Sequence, residues 1–139
     1  MNYTLQNLNE LPLDLKPGDI VFLIGDLWSG KTTLTKEIFF RFKIAPQTVR
    51  SPTYTYMQEY EWFNAHGNKQ IFHHFDLYRL NDYDDFLNIG GQEYLENSNS
   101  IKIIEWPEIL FGFIKPNYTI KICCHDWNDS DRQYLIVKN

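Results

Sequence analysis

The chain has 139 residues, 43% of them hydrophobic and 22% charged, which suits one globular unit over residues 1–139 and argues against disorder. Its formal charge is −5, with thirteen scattered Lys and Arg and no basic run. That balance excludes a freestanding nucleic-acid clamp, which needs clustered cations to neutralise phosphate, and gives no reason to expect DNA as a partner.

The opening residues Met1 to Leu8 carry neither a basic stretch nor a continuous apolar one, so no signal peptide is expected. Lys16-Pro17-Gly18-Asp19 is a turn signal feeding Ile20 to Ile24, a β-branched and aromatic run of the kind buried on both faces of a sheet. After a glycine-containing turn, Leu34, Ile38 and Phe42 recur every fourth residue and predict a helix over 32–42. Ser51-Pro52 breaks the chain before a strand expected over Thr53 to Met57. Asn64 to Asn68 reads as a hairpin or loop, and Ile71 to Asp76 as a strand that ends in an acid. Asp82 to Leu87 has the acidic first turn of a short helix. Ile101 to Glu105 is a further buried strand ending in an acid, stopped by Pro107. Thr119 to Cys123 and Tyr134 to Val137 are two more strands around the polar turn 126–131. The fold class that follows is α/β, with a mostly parallel central sheet and antiparallel additions. Cys123 and Cys124 are neighbours on one strand and point to opposite faces, so no disulfide and a reducing compartment are expected.

The segment Gly25-Asp26-Leu27-Trp28-Ser29-Gly30-Lys31-Thr32 fits the phosphate-loop pattern G-x-x-x-x-G-K-[ST]. Average residue usage gives such a match by chance in roughly 0.5% of chains of this length, and here it also falls between a buried strand and an amphipathic helix. Backbone N–H groups would curl around a phosphate, and the helix N-terminus would add its positive dipole end. Lys31 would reach the β and γ oxygens, with the Thr32 hydroxyl on Mg²⁺. A phosphate loop needs acids for its metal and its nucleophile, and Asp76 and Glu105, each closing an apolar strand, are the candidates.

Other features have plainer readings. His73 and His74 are adjacent on a strand and point opposite ways, which disfavours zinc. Asn68-Lys69-Gln70-Ile71 starts like a guanine-reading element but has Ile71 where the acid belongs. Tyr54, Tyr56 and Tyr60 alternate at strand spacing and read as sheet packing.

Four blocks occur in order: Gly25-Asp26-Leu27 with Gly30-Lys31-Thr32-Thr33; Ser51 to Thr55; His74-Phe75-Asp76-Leu77-Tyr78-Arg79-Leu80; and Ile104-Glu105-Trp106-Pro107-Glu108. In this order they resemble the TsaE (YjeE) family of small bacterial P-loop ATPases. The resemblance implies a P-loop NTPase-like three-layer fold and a cytoplasmic ATPase using ATP and Mg²⁺. Such a protein would assist a TsaD–TsaB complex in threonylcarbamoylation of adenosine 37 in tRNAs reading ANN codons, meeting tRNA only through the complex. It implies further that Gly25 to Thr33 bind nucleotide, that Thr32, Asp76 and Glu105 serve the metal, and that Asp76 and Glu105 carry the catalysis. Trp106 would be needed beside them, Arg132 would contact the nucleotide, and Ser51, Thr53 and Thr55 would belong to a switch-like segment. One departure is local to this chain: Trp28-Ser29 stands where the family usually has Gly-Ala. Two other readings are a small-metabolite kinase, disfavoured by only four Arg and no basic lid, and a nucleotide sensor that does not hydrolyse.

Overall fold

The computed structural model describes residues 2–4, 12–25, 31–44, 55–124 and 132–139, with 2–4, 124 and 132 described through their backbone. The strands are β1 (Asn2–Thr4), β2 (Ile20–Ile24), β3 (Met57–Phe63), β4 (Lys69–Asp76), β5 (Ser100–Glu105), β6 (Tyr118–Cys124) and β7 (Arg132–Lys138). They form one sheet in the order β1-β7-β6-β2-β5-β4-β3. The central run β6-β2-β5-β4 is parallel, while β3 pairs with β4, β7 with β6 and β1 with β7 in antiparallel fashion. Buried parallel strands need apolar residues on both faces, and β2 and β5 supply them as IVFLI and SIKIIE.

The helices are α1 (Lys31–Arg41), α2 (Tyr83–Asn88) and α3 (Gly91–Glu96), with a 3₁₀ turn over Pro107–Leu110. On one face Leu34, Ile38 and Phe39 of α1 pack against Val21, Leu23, Phe72, Ile101 and Ile103. On the other, Phe86 of α2, Leu95 of α3 and Leu110 pack against Phe22, Phe75 and Ile104. Two cores on opposite faces of one sheet make the three layers, and they follow from period-two alternation along each strand.

Several local expectations hold. The turn before β2 is closed by Asp19 N–H donating to the Lys16 carbonyl at 3.0 Å, with Gly18 at φ 97°. Asp82 caps α2, its carboxylate accepting from the Asp85 N–H at 2.9 Å. The hairpin between β3 and β4 falls on Asn64 to Asn68, where the Asn64 side chain accepts from the N–H of His66 and of Asn68.

Other expectations are corrected. Of the strand expected over Thr53 to Met57, Thr53 and Tyr54 lie outside the described residues and β3 begins at Met57, because Tyr56 takes a left-handed φ of 63° that a strand does not accommodate. Phe42 lies one residue beyond α1, which ends as Lys43 turns left-handed at φ 62° and the Ile44 N–H reaches back to the Phe39 carbonyl. Its ring still packs against Trp62 and Phe72. The sequence reading named neither β1 nor α3. In α3, Gly91 leaves room for the Phe86 ring, which a Cβ would meet at 2.3 Å. The turn 126–131 and Tyr54 lie outside the described residues. Among the described residues no helix is long and apolar enough to cross a membrane.

Candidate functional site

Three parallel strands end side by side. β2 leads out of Ile24 into Gly25, and register pairs Leu23 with Glu105 and Glu105 with Asp76. Strand parity sorts the side chains: Ile101, Ile103 and Glu105 face α1, as do Phe72, His74 and Asp76. Both acids therefore lie at the carboxyl ends of the strands, on the face that α1 covers. That is where open α/β sheets bind ligands.

Asp26 to Gly30 lie outside the described residues, but both ends of the phosphate loop are described. Lys31 opens the eleven-residue α1 and is only 6% exposed. Its Nζ donates to the Gly25 carbonyl at 2.6 Å, bridging the ends of the loop, and stands 4.1 Å from the centroid of the Trp106 ring. Thr32 is half-buried in the first helical turn and Thr33 is exposed. The Thr35 hydroxyl is spent on the Lys31 carbonyl at 3.0 Å.

Asp76 and Glu105 are 5% and 3% exposed. Asp76 Oδ1 accepts from the Tyr78 N–H at 3.0 Å, which turns the chain sharply after β4. Glu105 Oε2 meets His74 Nε2 at 2.6 Å, with the His74 ring fully buried. The Glu105 carbonyl accepts from the Leu77 N–H, and the Asp76 N–H donates to the Tyr56 carbonyl, so the strand ends are tied together by main chain. Trp106 follows directly in a left-handed conformation, φ 56° and ψ 55°, ahead of Pro107. A bulky residue there is strained by about 1–3 kcal/mol, and such strain gathers at functional sites. Its ring is held by Tyr78 at 4.9 Å and by Lys31.

The structure thus gathers Gly25, Lys31, Asp76, Glu105 and Trp106, with Thr32 in the adjoining helical turn. The carboxylates and the Thr32 hydroxyl are hard oxygen donors of the kind Mg²⁺ takes, and they sit beside a helix N-terminus suited to phosphate. Thr55 is exposed in the turn before β3, one residue ahead of the Tyr56 carbonyl that accepts from the Asp76 N–H, and its hydroxyl accepts from Gln58 at 3.1 Å. Ser51 and Thr53 lie outside the described residues, as do Asp26, Leu27, Trp28, Ser29 and Gly30. Arg132 begins β7 and is described through its backbone alone.

The sequence reading missed the part played by His74. Its position two residues before Asp76 was the available signal, since residues i and i+2 on a strand share a face. The neighbouring His73 points the other way, into a separate polar cluster on the α2/α3 side. There Nδ1 meets the Ser100 hydroxyl and Nε2 meets Glu59, each at 3.0 Å, while the buried Lys102 donates to the Asn97 carbonyl. Burial pushes the Lys102 ammonium down. Burial also pushes His73 below its ordinary 6.5, outweighing the Glu59 carboxylate that favours the charged ring. A lowered folded-state pKa means that the unfolded chain binds the proton first as pH falls. The stabilisation by neutral His73 is complete above pH 6.5 and declines below it, towards the folded-state pKa. Thermal melts from pH 7.5 to 5 should therefore show a steeper loss in the wild type than in His73→Gln. Parallel curves would remove His73 from the acid response.

A phosphate-loop segment joining β2 to α1, with acids ending the two adjacent parallel strands, places this chain in the P-loop class of α/β folds. Crystalline Bacillus subtilis YdiB is similar, with a TM-score of 0.57 and 26% identity, covering 90% of this chain and 71% of that one. The chain belongs to the TsaE family: the family model "Threonylcarbamoyl adenosine biosynthesis protein TsaE" matches residues 2–134. Proteins named tRNA threonylcarbamoyladenosine biosynthesis protein TsaE are similar over most of the chain. That of Haemophilus influenzae is 42% identical over 129 residues, covering 92% of this chain and 76% of its own. That of Rickettsia felis is 39% identical over 106 residues, or 76% of this chain, but the match spans only 58% of the Rickettsia protein.

Proposed function

We propose that this protein binds ATP with Mg²⁺ at the loop between β2 and α1 and hydrolyses it in support of tRNA threonylcarbamoylation. The observation that carries the proposal is the convergence of Lys31, Asp76 and Glu105, all buried, at the carboxyl ends of adjacent parallel strands. Lys31 leaves the Gly25 carbonyl to hold the β and γ phosphates, while the N–H groups opening α1 receive the same anion. Thr32, Asp76 and Glu105 hold the metal, and one of the acids orients the attacking water. Held by these residues, Mg²⁺ would supply neutralisation of phosphate charge. Trp106 keeps the Lys31 ammonium at the site when no phosphate is bound. Arg132 adds a nucleotide contact, and the segment containing Ser51, Thr53 and Thr55 responds to the γ-phosphate as switch loops do.

The family supports the pathway, and the charge of −5 without a basic run supports an indirect route to tRNA. The protein works in the cytoplasm with a TsaD–TsaB complex, which carries the target adenosine 37 of tRNAs reading ANN codons. Gel filtration of the mixture should show association that depends on an ATP analogue, with ATPase activity weak alone and higher in the complex. Tight binding of tRNA by the isolated chain at physiological salt, without association with the pair, would overturn this reading.

A further inference from the structure

We propose that His74 is a positioning residue for the metal-side carboxylate Glu105, an inference that rests on the nucleotide reading above. The two side chains are 0% and 3% exposed and meet at 2.6 Å, a short charge-assisted bond sealed from water. The other ring nitrogen, Nδ1, is buried and has no hydrogen-bond partner among the described residues. A buried N–H without a partner is rarer than a bare acceptor, so the proton is on Nε2 and His74 donates to Glu105 Oε2. With Oε2 so engaged, Glu105 would hold the metal through its other carboxylate oxygen.

The ring itself is fixed from three sides. Register holds His74 between Gln58 of β3 and Ile103 of β5, and the Phe39 ring of α1 stands edge-on to it at 6.2 Å and 84°. His74 and Asp76 share one face of β4, so the strand that brings one acid to the site also orients the other. Donation from a rigid imidazole to a ligating carboxylate is the outer-shell arrangement that tunes metal affinity, and its loss typically weakens binding 10–100-fold. His74 touches neither nucleotide nor metal in this account.

The test is the affinity of Mn²⁺, read by electron paramagnetic resonance, for the protein saturated with ADP. His74→Phe keeps the ring and its packing but has no donor, and Mn²⁺ affinity should fall at least about tenfold, while ADP affinity in EDTA stays within about twofold. His74→Gln places an amide N–H near the former Nε2, and it should recover most of the lost affinity. Should His74→Phe fail to fold, the Gln variant decides alone: near-wild-type Mn²⁺ affinity supports the assignment, and a loss as large as that of Glu105→Gln overturns it. Wild-type Mn²⁺ affinity in a folded His74→Phe also overturns it, leaving His74 a packing residue. Absence of any Mn²⁺ or ADP binding in the wild type would instead bring down the nucleotide reading, and this inference with it.

Discussion

Lys31→Ala should abolish ATP hydrolysis and weaken nucleotide binding about ten- to a hundredfold. The lost contact is a charge-assisted hydrogen bond to phosphate, worth about 1.5–3 kcal/mol, and it strengthens as charge develops on the departing oxygens. The fold should survive. Lys31 begins α1 rather than standing inside it, and alanine is the best helix former. Removing the ammonium also removes a cation that is only 6% exposed, so its own cost of burial disappears with it. The Gly25 carbonyl, its acceptor at 2.6 Å, lies at the partly buried mouth of the loop, where water can replace the amine. A melting temperature close to the wild type's, with turnover at background, is the expected pair of results. Unchanged turnover in a folded variant would refute the phosphate-loop assignment.

Glu105→Gln should keep nucleotide binding in the absence of metal and lose at least about a hundredfold in hydrolysis, equivalent to about 2.7 kcal/mol of barrier. The amide preserves volume and can still accept from His74 Nε2, so the buried pair is not left broken. What disappears is the negative charge that makes the side chain an effective metal-side ligand. Asp76→Asn offers the matched comparison, because the Asn oxygen can retain the 3.0 Å bond from the Tyr78 N–H. The two variants should behave alike if both acids serve the metal or the attacking water. Full activity in Asp76→Asn would reduce that residue to a strand-end turn acid. Steady-state phosphate release at saturating Mg²⁺, together with ADP titration in EDTA, separates the two effects.

The parts of this site that were legible from sequence are those fixed by local pattern. A phosphate loop between a five-residue apolar strand and an amphipathic helix needs no tertiary information, and an acid that closes a buried strand marks a carboxyl end. What was not legible depends on register and on backbone strain. Nothing in the order of residues announces that Glu105 aligns with Asp76, or that His74 reaches across to Glu105 rather than remaining in the apolar core. Trp106 in a left-handed conformation is equally silent, since its contacts with Lys31 and Tyr78 exist only once β4, β5 and α1 have met. Tyr56 is the opposite case. Its β propensity predicts strand, and a positive φ imposed by the turn before Met57 overrides that propensity. Tyr60 follows its pattern, packing edge-on to Phe39 at 4.9 Å.

The central claim is that a nucleotide occupies the space bounded by Lys31, Asp76 and Glu105. Isothermal titration of the wild-type protein with ADP, in Mg²⁺ and again in EDTA, tests it most directly. We expect one site per chain, tighter with Mg²⁺ than without, and about ten- to a hundredfold weaker in Lys31→Ala. An absence of heat under both conditions, or binding unaffected by Lys31→Ala, would contradict the account.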